Sequence, residues 1–236
     1  MENLVNPLII YDSRMPEKAI TSLKNYGKLL PFLTKDITYE AIAGHPDVFF
    51  CIIDDKLIAA PNIPEPYIRK ISSRCSLEII KGKTAVGYKK ENSTCYNAVV
   101  TNEWIIHHSN YCDSAILQHK GDRAFLQVPQ PYTRCSLLPL KNNRFITSDH
   151  GIEKALHAKG LDCLYINPQY IILPGFAYGF FGGCAGIYQD KVFFSGSLQF
   201  HPQCNQIVRY LHDSEYEIIE LYSSHLFDVG SIFFID

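Results

Sequence analysis

The sequence has no excess of charge of either sign. Lysine and arginine number 22 and aspartate and glutamate 24, which gives a formal net charge of −2 over 236 residues. Proteins that bind nucleic acid or anionic lipid through electrostatic attraction carry a strongly basic face. We therefore expect neither nucleic acid nor a membrane surface as a partner.

A long apolar run and a basic leader are also missing. Residues 1–6 are polar, and no stretch reaches the roughly 20 consecutive apolar residues that cross a bilayer. The composition is nevertheless 47% hydrophobic and 19% charged, which is sufficient for a sizeable folded core. The sequence predicts one domain over residues 1–236.

The cysteines do not occur in pairs. They stand at positions 51, 75, 95, 112, 135, 163, 184 and 204, with no C-x-x-C pair and no close Cys/His quartet. Zinc sites usually show such spacing, and disulfide frameworks belong to secreted proteins. We therefore expect no metal, reduced thiols and a cytoplasmic location.

What the sequence does contain is a repeated turn signal. Short polar turns at 54–55, 101–102, 142–143 and 189–190 are flanked by β-branched and aromatic residues, which is typical of β-hairpins. They recur about every 45 residues, a period that indicates a repeat architecture. The flanking strands are predicted at 48–52 and 56–61, 98–100 and 103–108, 136–140 and 144–148, and 185–188 and 191–196.

Each hairpin is followed by a helix and a third strand. The helices are predicted at 64–74, 112–121, 151–160 and 201–214, and the strands at 77–80, 124–128, 161–166 and 216–221. A fifth unit is split between the termini, with 231–236 at one end and strand 8–12, helix 16–27 and strand 29–33 at the other. The prediction is an α/β fold, a five-fold pseudo-symmetric ββαβ propeller closed by pairing of the N- and C-terminal strands. An ordinary mixed α/β sheet with coincidental spacing is the alternative.

In a ring of repeats, equivalent loops line one mouth of the central channel. The loops before the hairpins span 43–47, 92–97, 131–136, 180–186 and 224–230. They supply cysteines, histidines and carboxylates, the groups that a thiolate nucleophile with acid–base assistance requires.

These units and loops resemble the guanidino-group-modifying enzyme superfamily, whose fold is also called pentein. His45-Pro46-Asp47 has the form of the His-x-Asp element that precedes a strand in the enzymes. Cys135, two repeats later, stands at the same distance before its turn as Asp47 does. Asp228, in a glycine-containing loop before a strand, matches an acidic substrate-binding residue of the superfamily. The Cys lies in mid-chain here, whereas the usual order places it near the C-terminus.

The resemblance implies a cysteine-dependent hydrolase from a small bacterial branch that acts on a C–N bond of a small guanidino or amidino compound. Cys135 would attack the central carbon to form a covalent thiouronium-type intermediate, and His45 would act as acid and base. Asp47 and Asp228 would hold the planar cation. No metal and no organic cofactor would be required.

Neighbouring residues complete the predicted site. Arg134 is expected to lower the pKa of the adjacent Cys135 thiol, because a nearby cation favours the thiolate. The predicted substrate-binding residues are Arg134, Asp228, Asn97 and Gly183. The glycine is included because a residue without a side chain lets a ligand approach the backbone closely.

Two alternatives remain open at this point. Cys184 follows a glycine pair that resembles the run before the superfamily's cysteine, so it is a rival nucleophile, although the turn alignment places it inside its strand. The second alternative is a catalytically silent pentein-fold binding module. The loop 182–186 favours that module because it lacks the second carboxylate that the enzymes often carry there.

Overall fold

The structure, a computed structural model, describes residues 6–236, so residues 1–5 of the predicted domain lie outside the described part. Its strands form five three-stranded sheets and one two-stranded sheet. Over residues 6–236 there is no helix with both the length and the apolarity needed to cross a bilayer.

The five three-stranded sheets share one topology. In each, the first two strands are antiparallel and the third lies parallel to the second. We number the units from the first hairpin. Their strands are Phe50–Ile53, Lys56–Ala59 and Glu78–Lys81 in unit 1; Val99–Val100, Trp104–His107 and Ala124–Gln127 in unit 2; Leu137–Pro139, Arg144–Thr147 and Asp162–Tyr165 in unit 3; Ala185–Tyr188, Lys191–Phe194 and Glu217–Glu220 in unit 4; Phe233–Ile235, Leu8–Asp12 and Lys28–Phe32 in unit 5.

A helix connects the second and third strands of every unit, as the sequence predicts. The helices are Glu65–Ser72, Ser114–Gln118, His150–His157, Cys204–His212 and Glu17–Leu23. A parallel pair of strands requires such a crossover. In unit 3 the Asp149 carboxylate accepts the Ile152 N–H and caps the helix, which buries Ile152 and Leu156 against the sheet.

The two ends of the chain pair in one sheet. Leu8–Asp12 and Phe233–Ile235 are antiparallel, with Leu8 opposite Ile235 and Ile10 opposite Phe233. The predicted pairing of the terminal strands is therefore confirmed. Backbone ladders do not, however, join the sheets of residues 6–236 into one closed sheet, because each unit keeps its own three strands.

Hydrogen bonds and ion pairs link neighbouring units in cyclic order. They join units 1 and 2 through Asp54 and Arg123 (3.0 Å), units 2 and 3 through Glu103 and Asn143 (2.8 Å), units 3 and 4 through Lys141 and Asp190, units 4 and 5 through Tyr188 and Asp236 (2.8 Å), and units 5 and 1 through the backbones of Asp236 and Ser76 (3.0 Å). Each unit thus contacts the next one, and the last contacts the first.

Short helical turns replace the loops that were predicted before the hairpins. They span Pro46–Phe49, Lys90–Ser93, Thr133–Ser136 and Gly182–Cys184, and three of them run directly into the first strand of a hairpin. A segment of three or four residues is too short to show helical periodicity in a sequence, so these turns were missed. A two-stranded pair, Ile171–Ile172 with Leu226–Phe227, was not predicted either.

Aromatic packing fixes the first of these turns between two units. The ring of Phe32, from unit 5, packs edge-to-face on Phe49 and Phe50, with centroids 5.1 and 5.2 Å apart. All three are buried. Such pairs favour a defined geometry beyond simple burial of area, so they hold the segment that contains His45 and Asp47.

Deleting residues 233–236 should destabilise the protein severely. The deletion removes the strand that pairs with Leu8–Asp12 and two buried side chains, Phe233 and Ile235. Burial of two such side chains contributes about 3–6 kcal/mol. Chemical denaturation should show a loss in the free energy of unfolding of that size. Asp236→Ala, which removes only an exposed side-chain contact, is the matched control and should change stability little; a truncated protein that unfolds like the full chain contradicts the role of this pairing.

Candidate active site

Side chains from four units meet at one buried point. The Cys135 thiol donates to Asp47 Oδ2 over 3.1 Å, and the Ser231 hydroxyl donates to the same oxygen over 2.7 Å. The Asn97 side-chain amide donates to Cys135 Sγ over 3.2 Å. All four residues are buried. The sulfur is therefore held between a carboxylate and an amide, with bulk water excluded from its partners.

Asn97 fixes the position of Cys135 as well as contacting its sulfur. Its Oδ1 accepts the Cys135 backbone N–H over 3.1 Å, and its Nδ2 also donates to the Asp47 carbonyl over 3.1 Å. The sequence predicted a substrate-binding role for this residue. The structure places its amide against the thiol, between units 1 and 3, and the substrate-binding role stays a prediction.

His45 approaches the same group from the start of its helical turn. It is extended (φ −71°, ψ 111°), with Pro46 beginning the turn behind it, and only 2% of it is exposed. Donor atoms of His45, Asp47 and Cys135 all lie within 4.8 Å of one another. The three residues that the sequence proposed as catalytic are thus brought together.

Two carboxylates flank the His45 ring. Its Nε2 lies 3.9 Å from Asp12 Oδ2 and its Nδ1 lies 3.9 Å from Asp228 Oδ1, and the buried Nδ1 has no hydrogen-bond partner. The ring therefore lies between two carboxylates, with one nitrogen directed toward each of them.

Asp228 is fixed by backbone donors. Its Oδ2 accepts the Phe180 N–H over 2.8 Å and its Oδ1 accepts the Gly230 N–H over 3.0 Å. Burial raises the pKa of its carboxyl, and the nearby His45 acts against that rise. A Cβ at Gly183 would overlap this carboxylate, so the glycine makes room for Asp228. That is a different use of Gly183 from the contact with a ligand that the sequence suggested.

The pKa of the Cys135 thiol is raised well above its usual range. Burial is the main cause, and the carboxylates of Asp47 and Asp228 add to it, while the hydrogen bond from Asn97 acts in the opposite direction. The sequence predicted a lowered pKa, and the direction of that prediction was wrong. Burial and the two carboxylates outweigh the neighbouring cation, and the Arg134 guanidinium donates to the carbonyls of Gly182 (3.0 Å) and Ala185 (3.4 Å) in unit 4.

The rival cysteine is enclosed. Cys184 is fully buried, its thiol donates to the Phe180 carbonyl over 3.3 Å, and burial raises its pKa well above the usual range. It does not line either of the two cavities that reach His45.

Two cavities meet at this group. One, of about 630 Å³, is lined by Cys135, His45, Asp228 and several aromatic side chains; the other, of about 550 Å³, is lined by Asp12, His45 and Asp228 among others. Small molecules can therefore reach His45 from two sides, and only the larger cavity reaches the sulfur.

The sequence reasoning missed two members of the site. Asp12 ends the N-terminal strand and is held by Arg14 through Nε–Oδ1 (2.9 Å) and Nη2–Oδ2 (2.5 Å) contacts. Ser231 follows Gly230, and both have positive φ, 69° and 64°. The sequence signal for Asp12 was its position at the end of a strand in the split unit; nothing local pointed to Ser231.

The same donors are also of the type that holds a metal ion. His45, Asp47 and Cys135 offer one nitrogen, one oxygen and one sulfur, all buried. Zinc accepts this combination, although its structural sites normally use four protein ligands. The sequence spacing gave no hint of this cluster, because Cys135 lies 88 residues from Asp47 along the chain.

Comparison with known proteins identifies the family. The family model described as "Family of unknown function (DUF6873)" matches residues 10–233, so the chain belongs to that family. No curated protein matches the sequence.

Several solved structures have a similar fold. An amidinotransferase of saxitoxin biosynthesis from Microseira wollei has 10% identity and a TM-score of 0.57, over 98% of this chain and 94% of that one. A dimethylarginine dimethylaminohydrolase from Pseudomonas aeruginosa, complexed with citrulline, has 10% identity and a TM-score of 0.51, over 93% and 88%. A cyanobacterial arginine dihydrolase has 8% identity and a TM-score of 0.54, over 91% of this chain and 36% of that larger protein. All three are pentein-superfamily members, and the resemblance seen in the sequence is confirmed as a mixed α/β fold of that superfamily.

Asp47→Asn should make the Cys135 thiol more reactive toward a small neutral electrophile. A thiol reacts as thiolate, so labelling rises with pH, and a raised pKa moves that rise to higher pH. Removing the carboxylate beside the sulfur lowers the pKa, so labelling of Cys135 by iodoacetamide at pH 8 should become about tenfold faster. Rates are measured by mass spectrometry of the digested protein. Asp55→Asn, on an exposed turn, is the control; equal rates in all three proteins contradict this electrostatic account.

Proposed function

We propose that this member of the DUF6873 family hydrolyses a C–N bond of a small amidine or guanidine, with Cys135 as nucleophile, His45 as acid and base, and Asp47 and Asp228 as cation ligands. One observation carries the proposal. Cys135, His45 and Asp228 line one cavity, and the buried carboxylate of Asp47 lies directly beside the first two, with donor atoms of His45, Asp47 and Cys135 within 4.8 Å of one another. The similar enzymes act on guanidino compounds, which agrees with this chemistry but rests on fold alone.

We also propose that the five units are the blades of one propeller-like domain. The shared topology of the sheets and the contacts from each unit to the next, with the last contacting the first, support this arrangement. In such a ring, residues at equivalent positions of the units would meet near the axis, and the contact between Asp47 and Cys135 supports this.

Substrate binding would begin at the carboxylates. Asp47 Oδ1 is buried and has no hydrogen-bond partner, so it can accept an N–H of a planar cation. Asp228 already accepts one backbone N–H on each oxygen, and each of these oxygens has capacity for a second donor. The bound cation would offset the negative charges that keep the thiol protonated, and so promote the thiolate only when substrate is present.

The first half-reaction would be thiolate attack. Cys135 Sγ forms a bond to the amidine carbon while its proton passes to His45. The tetrahedral adduct then collapses: the C–N bond breaks, and imidazolium His45 donates its proton to the leaving amine. The product of this half-reaction is a positively charged thioester analogue on Cys135 and a free amine.

Water would complete the cycle. His45 accepts a proton from a water molecule, whose oxygen bonds to the same carbon, and the C–S bond then breaks to return Cys135. A guanidine yields a urea derivative and an amidine yields an amide. The hydrogen bond from Asn97 to the sulfur would stabilise the thiolate as it leaves.

A binding module without chemistry is the second candidate. The observation in its favour is the raised pKa of Cys135, since a thiol that stays protonated is a poor nucleophile. The two candidates differ in one measurable respect, which is whether a cationic reagent activates this thiol.

Chloroacetamidine should label Cys135 faster than the other cysteines near neutral pH. The reagent carries the planar cation, and displacement of its chloride forms a stable C–S bond. His45→Ala should slow the labelling about a hundredfold, because the group that accepts the thiol proton is gone. Peptide mapping by mass spectrometry identifies the modified residue.

The control for this experiment is the enclosed cysteine. Cys184→Ala should leave the labelling rate nearly unchanged, since its thiol lies outside the cavity that reaches Cys135. Labelling of Cys184 in preference to Cys135 would reassign the nucleophile. If chloroacetamidine labels no cysteine faster than it labels a free thiol, the hydrolase proposal is wrong and the binding module is the better conclusion.

Gly183→Ala should reduce cation-dependent labelling of Cys135 about a hundredfold, because the added methyl group displaces the Asp228 carboxylate and a small misplacement of a binding group is costly. Gly87→Ala is the matched control, since a Cβ there meets its nearest neighbour at 3.4 Å, an ordinary contact. Iodoacetamide, which carries no charge, should show no comparable loss. An equal loss with both reagents would indicate damage to the thiol rather than to the cation site.

A further inference from the structure

The cavity above Cys135 has aromatic walls. Five aromatic side chains line it, namely Tyr39, Tyr132, Phe176, Tyr178 and Phe180. Three of them are unusually exposed for rings of this size: Phe176 to 58%, Tyr178 to 42% and Tyr39 to 38%. Aromatic surfaces that stay in contact with water beside a buried polar group commonly mark a ligand site.

The charged side chains that line the same cavity lie at its floor and at one point on its wall. Asp228 and His45 lie at the floor beside Cys135. Of the described residues that line the cavity above them, Lys90 is the one charged side chain, and it is exposed. An amino-acid substrate such as arginine carries both a carboxylate and an ammonium group, and each needs a partner where it is desolvated. Among the described residues, the walls of this larger cavity offer no carboxylate for the ammonium group, and Lys90 is their one cation. Arg14 and Glu40 line the smaller cavity, which does not reach the sulfur.

One segment connects the wall to the floor. Phe176, Tyr178 and Phe180 alternate along it, and the Phe180 N–H donates to Asp228 Oδ2 over 2.8 Å. The Gly179 N–H donates to the Ile171 carbonyl over 2.9 Å, which ties the segment to the two-stranded pair. The aromatic wall and the carboxylate that would hold the cation are therefore positioned together.

We propose that the substrate is an amidinium or guanidinium compound with an apolar, aromatic tail rather than an amino-acid side chain. This inference rests on the proposed function and specifies its substrate class. The cationic head binds Asp228 and Asp47, and the tail packs against Phe176 and Tyr178, where ring–ring contacts add to the burial of apolar surface. Aromatic faces also attract a delocalised cation as it passes toward the floor.

The test compares three N-substituted chloroacetamidines that differ only in their tails. A benzyl tail, a carboxypropyl tail and an aminobutyl tail are measured against unsubstituted chloroacetamidine by the second-order rate of Cys135 modification. We expect the benzyl reagent to react at least tenfold faster than either charged-tail reagent. Phe176→Ala and Tyr178→Ala should remove most of that preference, because they should slow the benzyl reagent far more than the unsubstituted reagent. Phe200→Ala, an exposed ring that does not line this cavity, is the control.

Reversible binding separates this inference from the proposed chemistry. Benzamidine should bind Cys135→Ser more tightly than acetamidine does, measured by calorimetry. If benzamidine binds but no reagent labels Cys135, the hydrolase proposal fails and the aromatic class of ligand stands. If Cys135 is labelled but the carboxypropyl or aminobutyl reagent is equal to or faster than the benzyl reagent, the hydrolase proposal stands and the aromatic class is overturned.

Discussion

The buried carboxylate of Asp47 is the group on which the rest of the site depends. One of its oxygens accepts both the Cys135 thiol and the Ser231 hydroxyl, so it joins units 1, 3 and 5 at a single atom. A buried carboxylate is costly unless donors surround it, and here those donors come from distant parts of the chain. The Gly183 carbonyl accepts the Ser231 N–H, which adds unit 4 to the same junction. The pairing of the chain ends places Ser231 there, so the closure of the fold and the geometry of the site share one cause.

The same carboxylate adds to the effect of burial on the thiol. Burial first, and then the carboxylates of Asp47 and Asp228, raise the pKa of Cys135, and the amide of Asn97 offsets this rise only in part. In the reaction that we propose, an arriving planar cation would change this balance, because it would neutralise the carboxylates and place the electrophilic carbon next to the sulfur. A thiol that became reactive only with its substrate would also be protected from oxidation, which acts on thiolates.

The similarity to solved structures extends over nearly the whole chain at 8–10% identity. Similarity at this level supports the fold alone, so the chemistry is inferred from the side chains of the site. In the propeller-like arrangement that we propose, the nucleophile would belong to unit 3 and the split unit is unit 5. Each unit of such a ring would present its pre-strand residue to the same axis, so the nucleophile could come from any of them. Function would then be set by which residue stands at each equivalent position.

The sequence by itself determined the repeating units, the hairpin turns, the split fifth unit and the grouping of His45, Asp47 and Cys135. These follow from local signals: turn residues, strand composition, and the equal distances of Asp47 and Cys135 from their turns. The tertiary structure alone decided the direction of the Cys135 pKa, the role of Asn97 and the recruitment of Ser231. Each of these depends on which atoms from other units lie within about 4 Å, and contacts between residues far apart along the chain leave no periodic trace in it.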